Sequence, residues 1–318
     1  MQEAQLNLQE PILHHYDSSP FSEKVRLAFG IKGIAWRSVL IPNMMPKPDY
    51  VPLTGGYRRT PSMQIGAEVW CDTAVILREL ERRHPEPTLY PHGTSGLADA
   101  LGFWSDRSFF MVAVQLIFGT IGHSVSQSFI DDRAHMSGTE FDITRMRAAV
   151  PVMREQYRAH LAFLERQLAD GRRFLGGDAP GMLDLNPWHV VWFLRQVCPE
   201  EAELIDGFAR VRAWEDGLSA IGHGQRREVG ARDALSVAAV EMPETLPSGD
   251  PDEPNGLRPG MKVEVAPDDY GRDFVSGEIL VVNTDEIALL RRHPDLGEIV
   301  VHFPRAGYVV LPKPDSRA

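Results

Sequence analysis

The sequence predicts a multidomain α+β protein with three parts. The first is an α/β unit, because short strand-like runs alternate with a capped helix over residues 1–93. The second is all-helical, because patterns of helical period replace strand signals over 94–235. A polar, Pro-rich linker at 236–257 then leads to a small antiparallel β domain over 258–318. A chain of 318 residues is long enough for two or three domains of this kind.

Composition and charge narrow the possible partners. The chain is 43% hydrophobic and 24% charged, as in ordinary soluble globular proteins. A formal net charge of -11, without a Lys- or Arg-rich run, argues against nucleic acid. No apolar run is long enough to span a bilayer, so no membrane partner is expected. Cys71 and Cys198 form neither a CxxC motif nor a metal-ligand spacing. We therefore expect no metal and a reducing, cytoplasmic location.

The first unit has the predicted order βαβ followed by ββα. Ser19 suits the N-cap of its first helix, and Pro20 suits the first helical position, where its missing N–H costs nothing. The predicted elements are strands over 11–16, 34–40, 61–65 and 68–70, a helix from Pro20 to Gly30, and a helix over 74–83. This order within roughly 85 residues is expected of a thioredoxin-like domain.

The two later parts are predicted from their periodicity. Apolar residues at helical spacing trace the core-facing side of one long helix: Val150, Met153, Tyr157, Leu161, Leu164 and Leu168. After the linker, turn residues separate five short apolar runs at 261–265, 274–283, 287–290, 299–303 and 308–311. This pattern predicts a small antiparallel barrel of SH3-like size. Such a barrel could dock on the helical domain, shield a pocket or bind a partner.

Three short motifs carry the candidate chemistry. Ser19 begins a helix, so it could donate a hydrogen bond to a thiolate, or it could serve only as a cap. A cis bond between Thr60 and Pro61 would expose the Thr60 backbone to a bound peptide, whereas a trans proline would merely open an edge strand. Asp72 and Thr73 begin another helix, where they could hold an amino acid-like ammonium and carboxylate or simply cap it.

Together the three motifs resemble the glutathione transferases. The start of the serine and cysteine classes (tau, zeta and omega) is similar to the segment SSPFSEKVRLAF. These classes also share a stretch in which a basic residue, any residue and a proline are followed by a strand turn and then by an acidic residue and Ser or Thr. The segment RTPSMQIGAEVWCDTAVILREL is similar to that stretch. The resemblance covers residues 11–90 and extends through the helical region to 220. There the segment from Phe174 to Asp184 resembles a family capping segment, although Gly181 replaces the usual Ser or Thr.

The resemblance implies roles for individual residues. The residue matching Ser19 hydrogen-bonds the glutathione thiolate in that family, and Tyr16 is the second candidate because other classes use a tyrosine there. The implied glutathione-binding residues are Phe21, Arg59 for the glycine carboxylate, Thr60 and Pro61 for the cysteinyl backbone, and Asp72 and Thr73 for the γ-glutamyl end. The wall of the electrophile pocket is expected at Phe109, Phe110 and Met111, unless these side chains only pack the core.

The implied function is a glutathione transferase that forms a homodimer. Glutathione would be the co-substrate, and its activated thiol would attack a small apolar electrophile in a conjugation or isomerisation. Serine at position 19, where omega-like members have cysteine, argues against thiol exchange. A non-catalytic interaction module of the same fold is the alternative. A thiol oxidoreductase is disfavoured, because glutathione would have to supply every sulfur.

Overall fold

The structure is a computed structural model that describes residues 9–313. The first unit has the predicted order of elements: β1 Ile12–His15, α1 Pro20–Lys32, β2 Ala35–Leu40, α2 Val51–Thr54, β3 Ser62–Ile65, β4 Glu68–Cys71 and α3 Thr73–Arg83. β1 lies in the middle of this sheet, parallel to β2 and antiparallel to β3, and β3 pairs antiparallel with β4. The thioredoxin-like unit expected from the sequence is confirmed.

The helical domain follows the first unit. Its α-helices are α4 Ser95–Phe103, α5 Phe110–Ile121, α6 Gln127–Ser137, α7 Ile143–Gln167, α8 Met182–Val197, α9 Glu203–Asp206 and α10 Ala209–Ser219. A π-helical turn, Trp104–Phe109, joins α4 to α5. Tyr157, Leu161 and Leu164 are buried on α7 as the periodicity predicted. The domain packs on the first unit mainly through α8 against α1.

Asp184 ties the start of α8 to its surroundings. Its carboxylate accepts hydrogen bonds from the N–H of Leu175 at 2.7 Å, the N–H of Gly181 at 3.0 Å and the indole N–H of Trp214 at 2.8 Å. A side chain at Gly181 would place its Cβ 2.6 Å from the Leu89 carbonyl oxygen. This close approach explains why glycine replaces the family's Ser or Thr here.

The last third of the chain consists of β5 Gln225–Glu228, α11 Ala231–Val240, β6 Ser248–Gly249, β7 Lys262–Pro267, β8 Val275–Val282, β9 Glu286–His293, β10 Gly297–Pro304 and β11 Tyr308–Pro312. β5 pairs parallel with β2, and α11 runs into the range expected to be linker, ending at Val240. The strands β7, β8, β9 and β10 pair antiparallel in sequence, with β11 against β7.

The C-terminal strands extend the first sheet, which the sequence did not predict. β10 pairs parallel with β4 through the partners Val301 and Val69, and the rings of His302 and Trp70 stack 4.7 Å apart. The strand order is β11-β7-β8-β9-β10-β4-β3-β1-β2-β5, with β6 beside β8. Antiparallel pairing in the C-terminal region is confirmed, whereas closure into an SH3-like barrel stays a prediction. The shared edge fixes the C-terminal strands against the thioredoxin-like unit.

Candidate functional site

A cavity of about 320 Å³ lies where the thioredoxin-like unit, the helical domain and the C-terminal strands meet. Ligand sites usually range from about 300 to 1,000 Å³, so this cavity is large enough for a small molecule only. Six residues singled out in the sequence line it together: Phe21, Arg59, Thr60, Pro61, Asp72 and Thr73. They come from the starts of α1, β3 and α3, which converge at one edge of the sheet.

Ser19 is the N-cap of α1, as the sequence predicted. Its hydroxyl oxygen accepts a hydrogen bond from the Ser22 N–H at 3.2 Å. Only 1% of Ser19 is exposed, and neither Ser19 nor Tyr16 is among the cavity-lining residues. Phe21, two residues further on, does line the cavity. The structure therefore brings the start of α1 to the site while screening the serine hydroxyl from it.

Thr60 is held in place by a buried lysine. The bond from Thr60 to Pro61 is cis, as expected. The Lys47 ammonium donates hydrogen bonds to the Thr60 hydroxyl at 3.0 Å and to the Arg58 carbonyl at 2.9 Å. Burial, together with the neighbouring charges of Arg133 and Arg58, lowers the pKa of Lys47 to about 7. Lys47 was not singled out in the sequence, where it stood in a Pro-rich loop.

Asp72 caps α3 and faces the cavity. Its Oδ1 accepts from the Ala74 N–H at 2.9 Å, and its Oδ2 accepts from the Tyr308 hydroxyl at 3.1 Å. Its backbone lies in the positive-φ region at 103°, and Thr73 begins the helix immediately after it. Burial raises the pKa of Asp72, partly offset by the Ala74 hydrogen bond.

The charges around the cavity are paired except at Asp72. The lining cations contact carboxylates: Lys24 with Asp106 at 2.7 Å, Arg78 with Asp99 at 3.2 Å, Arg107 with Asp268 at 2.6 Å, and Arg59 with Asp269. Asp72 has no such cation partner within residues 9–313. An ammonium group is the natural complement of a half-buried carboxylate in this position. In the same part of the chain, no group of three or more His, Cys, Asp or Glu side chains is arranged to hold a metal.

Comparison with known proteins agrees with this geometry. Residues 13–88 match the glutathione S-transferase N-terminal domain model, and residues 143–217 match the glutathione S-transferase C-terminal domain model. A glutathione S-transferase-like protein from Pseudomonas syringae is 36% identical, with 96% of this chain and 100% of that chain covered and a TM-score of 0.80. The chain belongs to the glutathione S-transferase superfamily.

Solved glutathione transferases of lower identity share the fold. One from Methylobacterium radiotolerans, in complex with glutathione sulfonate, is 20% identical, with 69% of this chain and 97% of that chain covered and a TM-score of 0.51. A mutant of poplar glutathione transferase F1 is 14% identical, with 72% and 97% covered and a TM-score of 0.52. No curated protein matches the chain in sequence. In the part of this transferase-family protein that the structure describes, no helix is long and apolar enough to cross a membrane.

The helical wall of this transferase-like cleft differs from the expectation. Phe109 is fully buried, Phe110 packs edge-on against Phe21 with centroids 4.8 Å apart, and Met111 is 46% exposed. None of the three lines the cavity, whose helical-domain residues include instead Phe103, Asp106, Arg107, Met182 and Asn186. The π-helical turn between α4 and α5 adds a residue to the helical repeat. The turn therefore changes which residues after it face the cleft, and this change cannot be predicted from a regular α-helical period.

The C-terminal strands add a wall to the cavity, and shielding a pocket was one of three roles that the sequence left open for them. Their strap, defined as residues 268–272, covers the Arg59 side of the cavity. The Arg59 guanidinium donates to the Asp269 carboxylate and to the Tyr270 carbonyl, and lies 4.1 Å over the Tyr270 ring. In the sequence, the segment from Pro267 to Gly271 showed only a turn signal.

The strap is anchored to the helical domain as well. The Arg107 guanidinium donates to the Asp268 carboxylate at 2.6 Å, and the Gly271 N–H donates to the Met136 carbonyl at 2.6 Å. The strap thus bridges both transferase domains across the cleft between them. Arg59, which was expected to face a glycine carboxylate, is paired with Asp269 of the chain itself.

Proposed function

We propose that this chain binds glutathione in the cavity and activates its thiol for attack on a small electrophile. The γ-glutamyl ammonium would lie on Asp72, with the adjacent carboxylate at the N–H groups that begin α3 at Thr73. Thr60 would pair with the cysteinyl backbone, and Arg59 would face the glycine carboxylate. The observation that carries the proposal is the carboxylate of Asp72, which lines the cavity without a cation partner in residues 9–313.

The reaction needs little beyond position and electrostatics. The thiol would lie near the start of α1, where unpaired N–H groups and the positive end of the helix dipole favour its thiolate. The S–H proton leaves to solvent, and the sulfur lone pair forms a bond to the electrophilic carbon. In a substitution the leaving group departs with the electrons of its bond. The Ser19 hydroxyl would donate a hydrogen bond to the thiolate.

The size of the cavity limits the electrophile. About 320 Å³ must hold the tripeptide and leave room for its partner. The large apolar side chains on the lining include Phe21 from the thioredoxin-like unit and Phe103 and Met182 from the helical domain. We therefore expect a small electrophile with an apolar reacting end, and propose no larger substrate.

Titration calorimetry with reduced glutathione tests binding. Conjugation of an aryl halide, an α,β-unsaturated carbonyl and an alkyl halide tests catalysis. Ser19→Ala is expected to reduce the rate with little change in affinity. Retained activity in Ser19→Ala together with lost activity in Tyr16→Phe would move the thiolate contact to Tyr16.

A non-catalytic module is the second candidate, and two observations favour it. Ser19 is only 1% exposed, and Arg59 is held by Asp269. Both would have to change before glutathione could use them. If calorimetry detects no binding at millimolar glutathione, this candidate replaces the first.

We also propose a cytoplasmic homodimer, as the resemblance implies. β10 pairs along β4, so a second copy would have to dock away from that edge. Light scattering measures the oligomeric state directly, and a monomeric mass would end the dimer proposal.

A further inference from the structure

A turn in the C-terminal strands brings a tyrosine hydroxyl to the cavity. β10 runs parallel to β4 and ends at Pro304, beside the end of β4 that leads into Asp72. The chain then reverses through Gly307, whose φ is +83°, and β11 begins at Tyr308. A Cβ at Gly307 would lie 2.8 Å from the Arg107 guanidinium, which would have to move to make room for it. The pairing of β10 and the tight turn together fix where Tyr308 lies.

The Tyr308 hydroxyl has a defined donor role. It lies 3.1 Å from Asp72 Oδ2 and 3.2 Å from the Tyr57 hydroxyl. Burial raises the pKa of Tyr308 well above its ordinary value, so the hydroxyl keeps its proton over the usual pH range. Since a carboxylate only accepts, Tyr308 donates to Asp72 and Tyr57 donates to Tyr308. Phe303 supports both rings, with centroids 5.7 Å from Tyr308 and 5.8 Å from Tyr57.

We propose that Tyr308 is a positioning residue of the glutathione site, which orients the Asp72 carboxylate for the ammonium group of the bound peptide. The inference rests on the proposed function. It gives the C-terminal strands a part in ligand selection, because Tyr308 occupies one lone-pair direction of Oδ2 and the Ala74 N–H occupies Oδ1. The remaining lone pairs of the carboxylate then face the cavity.

Other groups around Asp72 decide how its charge responds to pH. Arg59 favours its ionised form and Asp106 opposes it. The side chains of Tyr57, Tyr270, Tyr308 and Cys71 also face it. The hydrogen bond from Tyr308 lowers the pKa of Asp72. Loss of this hydrogen bond therefore raises the pKa of Asp72. As the pH falls, Asp72 then becomes protonated earlier, so the affinity for the ammonium group begins to fall at a higher pH.

The test compares two ligands on the full chain. Reduced glutathione carries the ammonium group, and N-acetylglutathione replaces it with an uncharged amide. Tyr308→Phe is expected to weaken glutathione binding roughly tenfold, the loss of one hydrogen bond to a charged group. Binding of N-acetylglutathione should change little, so the ratio of the two affinities falls roughly tenfold. The acid limb of glutathione affinity against pH should shift upward.

Tyr157→Phe is the matched control. Tyr157 is a buried tyrosine in the helical core, and its hydroxyl donates to the Val190 carbonyl at 3.4 Å. It lies outside the cavity lining, so its variant should keep the wild-type affinity ratio. Thermal unfolding of both variants separates binding from folding. If Tyr308→Phe does not fold, Tyr57→Phe replaces it, because it removes the donor that orients the Tyr308 hydroxyl, and it should lower the affinity ratio in the same direction.

The outcomes separate this inference from the proposed function. If wild-type protein binds neither ligand, the proposed function fails and the inference fails with it. If wild-type protein prefers glutathione but Tyr308→Phe weakens both ligands equally or neither, the proposed function stands and the positioning role is refuted.

Discussion

A substitution in the strap over Arg59 should raise the affinity for glutathione, a result that a general loss of stability would not produce. Asp269→Asn keeps the shape of the side chain but removes the charge that holds the guanidinium. We expect glutathione to bind more tightly to this variant, because its glycine carboxylate no longer competes with Asp269 for Arg59. The direction is unusual for a change inside a binding site, where most substitutions weaken the ligand.

The burial of the pair sets the magnitude. The side chains of Arg59 and Asp269 are 12% and 28% exposed, and the Arg59 guanidinium also lies 4.1 Å over the Tyr270 ring. A contact of this kind contributes about 1–2 kcal/mol, above the usual range for exposed pairs. Its removal should therefore tighten glutathione binding roughly fivefold to thirtyfold.

Asp268→Asn on the same strap is the control. Asp268 pairs with Arg107, and these side chains are 40% and 38% exposed, so the pair contributes little. Titration calorimetry of the two variants at equal ionic strength gives the comparison. Unchanged or weaker glutathione binding in Asp269→Asn, with normal unfolding, would refute competition for Arg59.

Three further predictions concern stability. Ser19→Ala should lower the free energy of unfolding by about 1 kcal/mol through loss of the α1 cap, and Ser19→Gly by only a few tenths, measured by urea denaturation; equal losses would contradict the cap. Asp184→Ala should cost about 3 kcal/mol because three buried N–H donors lose their acceptor, and a loss below about 1 kcal/mol in the same assay would contradict this. Lys47 has a folded-state pKa near 7, below its unfolded value, so its contribution to stability should grow as pH rises from 7 to 10. Lys47→Met should flatten that rise in pH-dependent unfolding curves, and an unchanged slope would argue against a lowered pKa.

The local part of the fold could be predicted because its signals are local. Ser19 followed by Pro20 marks the start of α1 by capping chemistry alone, and Asp72 marks the start of α3 in the same way. That these helix starts share one site with Thr60 was implied by the resemblance to the glutathione transferases. Thus six of the cavity-lining residues of the thioredoxin-like unit were within reach of the sequence, whereas four others were not singled out: Lys24, Tyr57, Ala74 and Arg78.

The rest depends on contacts between distant parts of the chain. The pairing of β10 with β4 joins strands that are far apart in the sequence, and the residue pattern of neither strand identifies the strand with which it pairs. The positions of Tyr270 and Tyr308 at the cavity depend on that pairing, so a turn signal and an apolar run were all the sequence could show. The helical wall was misplaced for a different reason, since the π-helical turn before Phe110 shifts the period locally.

A map of the crystalline protein soaked with glutathione tests the central claim most directly. The account predicts density in the cavity with the γ-glutamyl nitrogen within hydrogen-bond distance of Asp72 and the sulfur at the start of α1. An unoccupied cavity at saturating glutathione, or a tripeptide bound elsewhere on the chain, would contradict it.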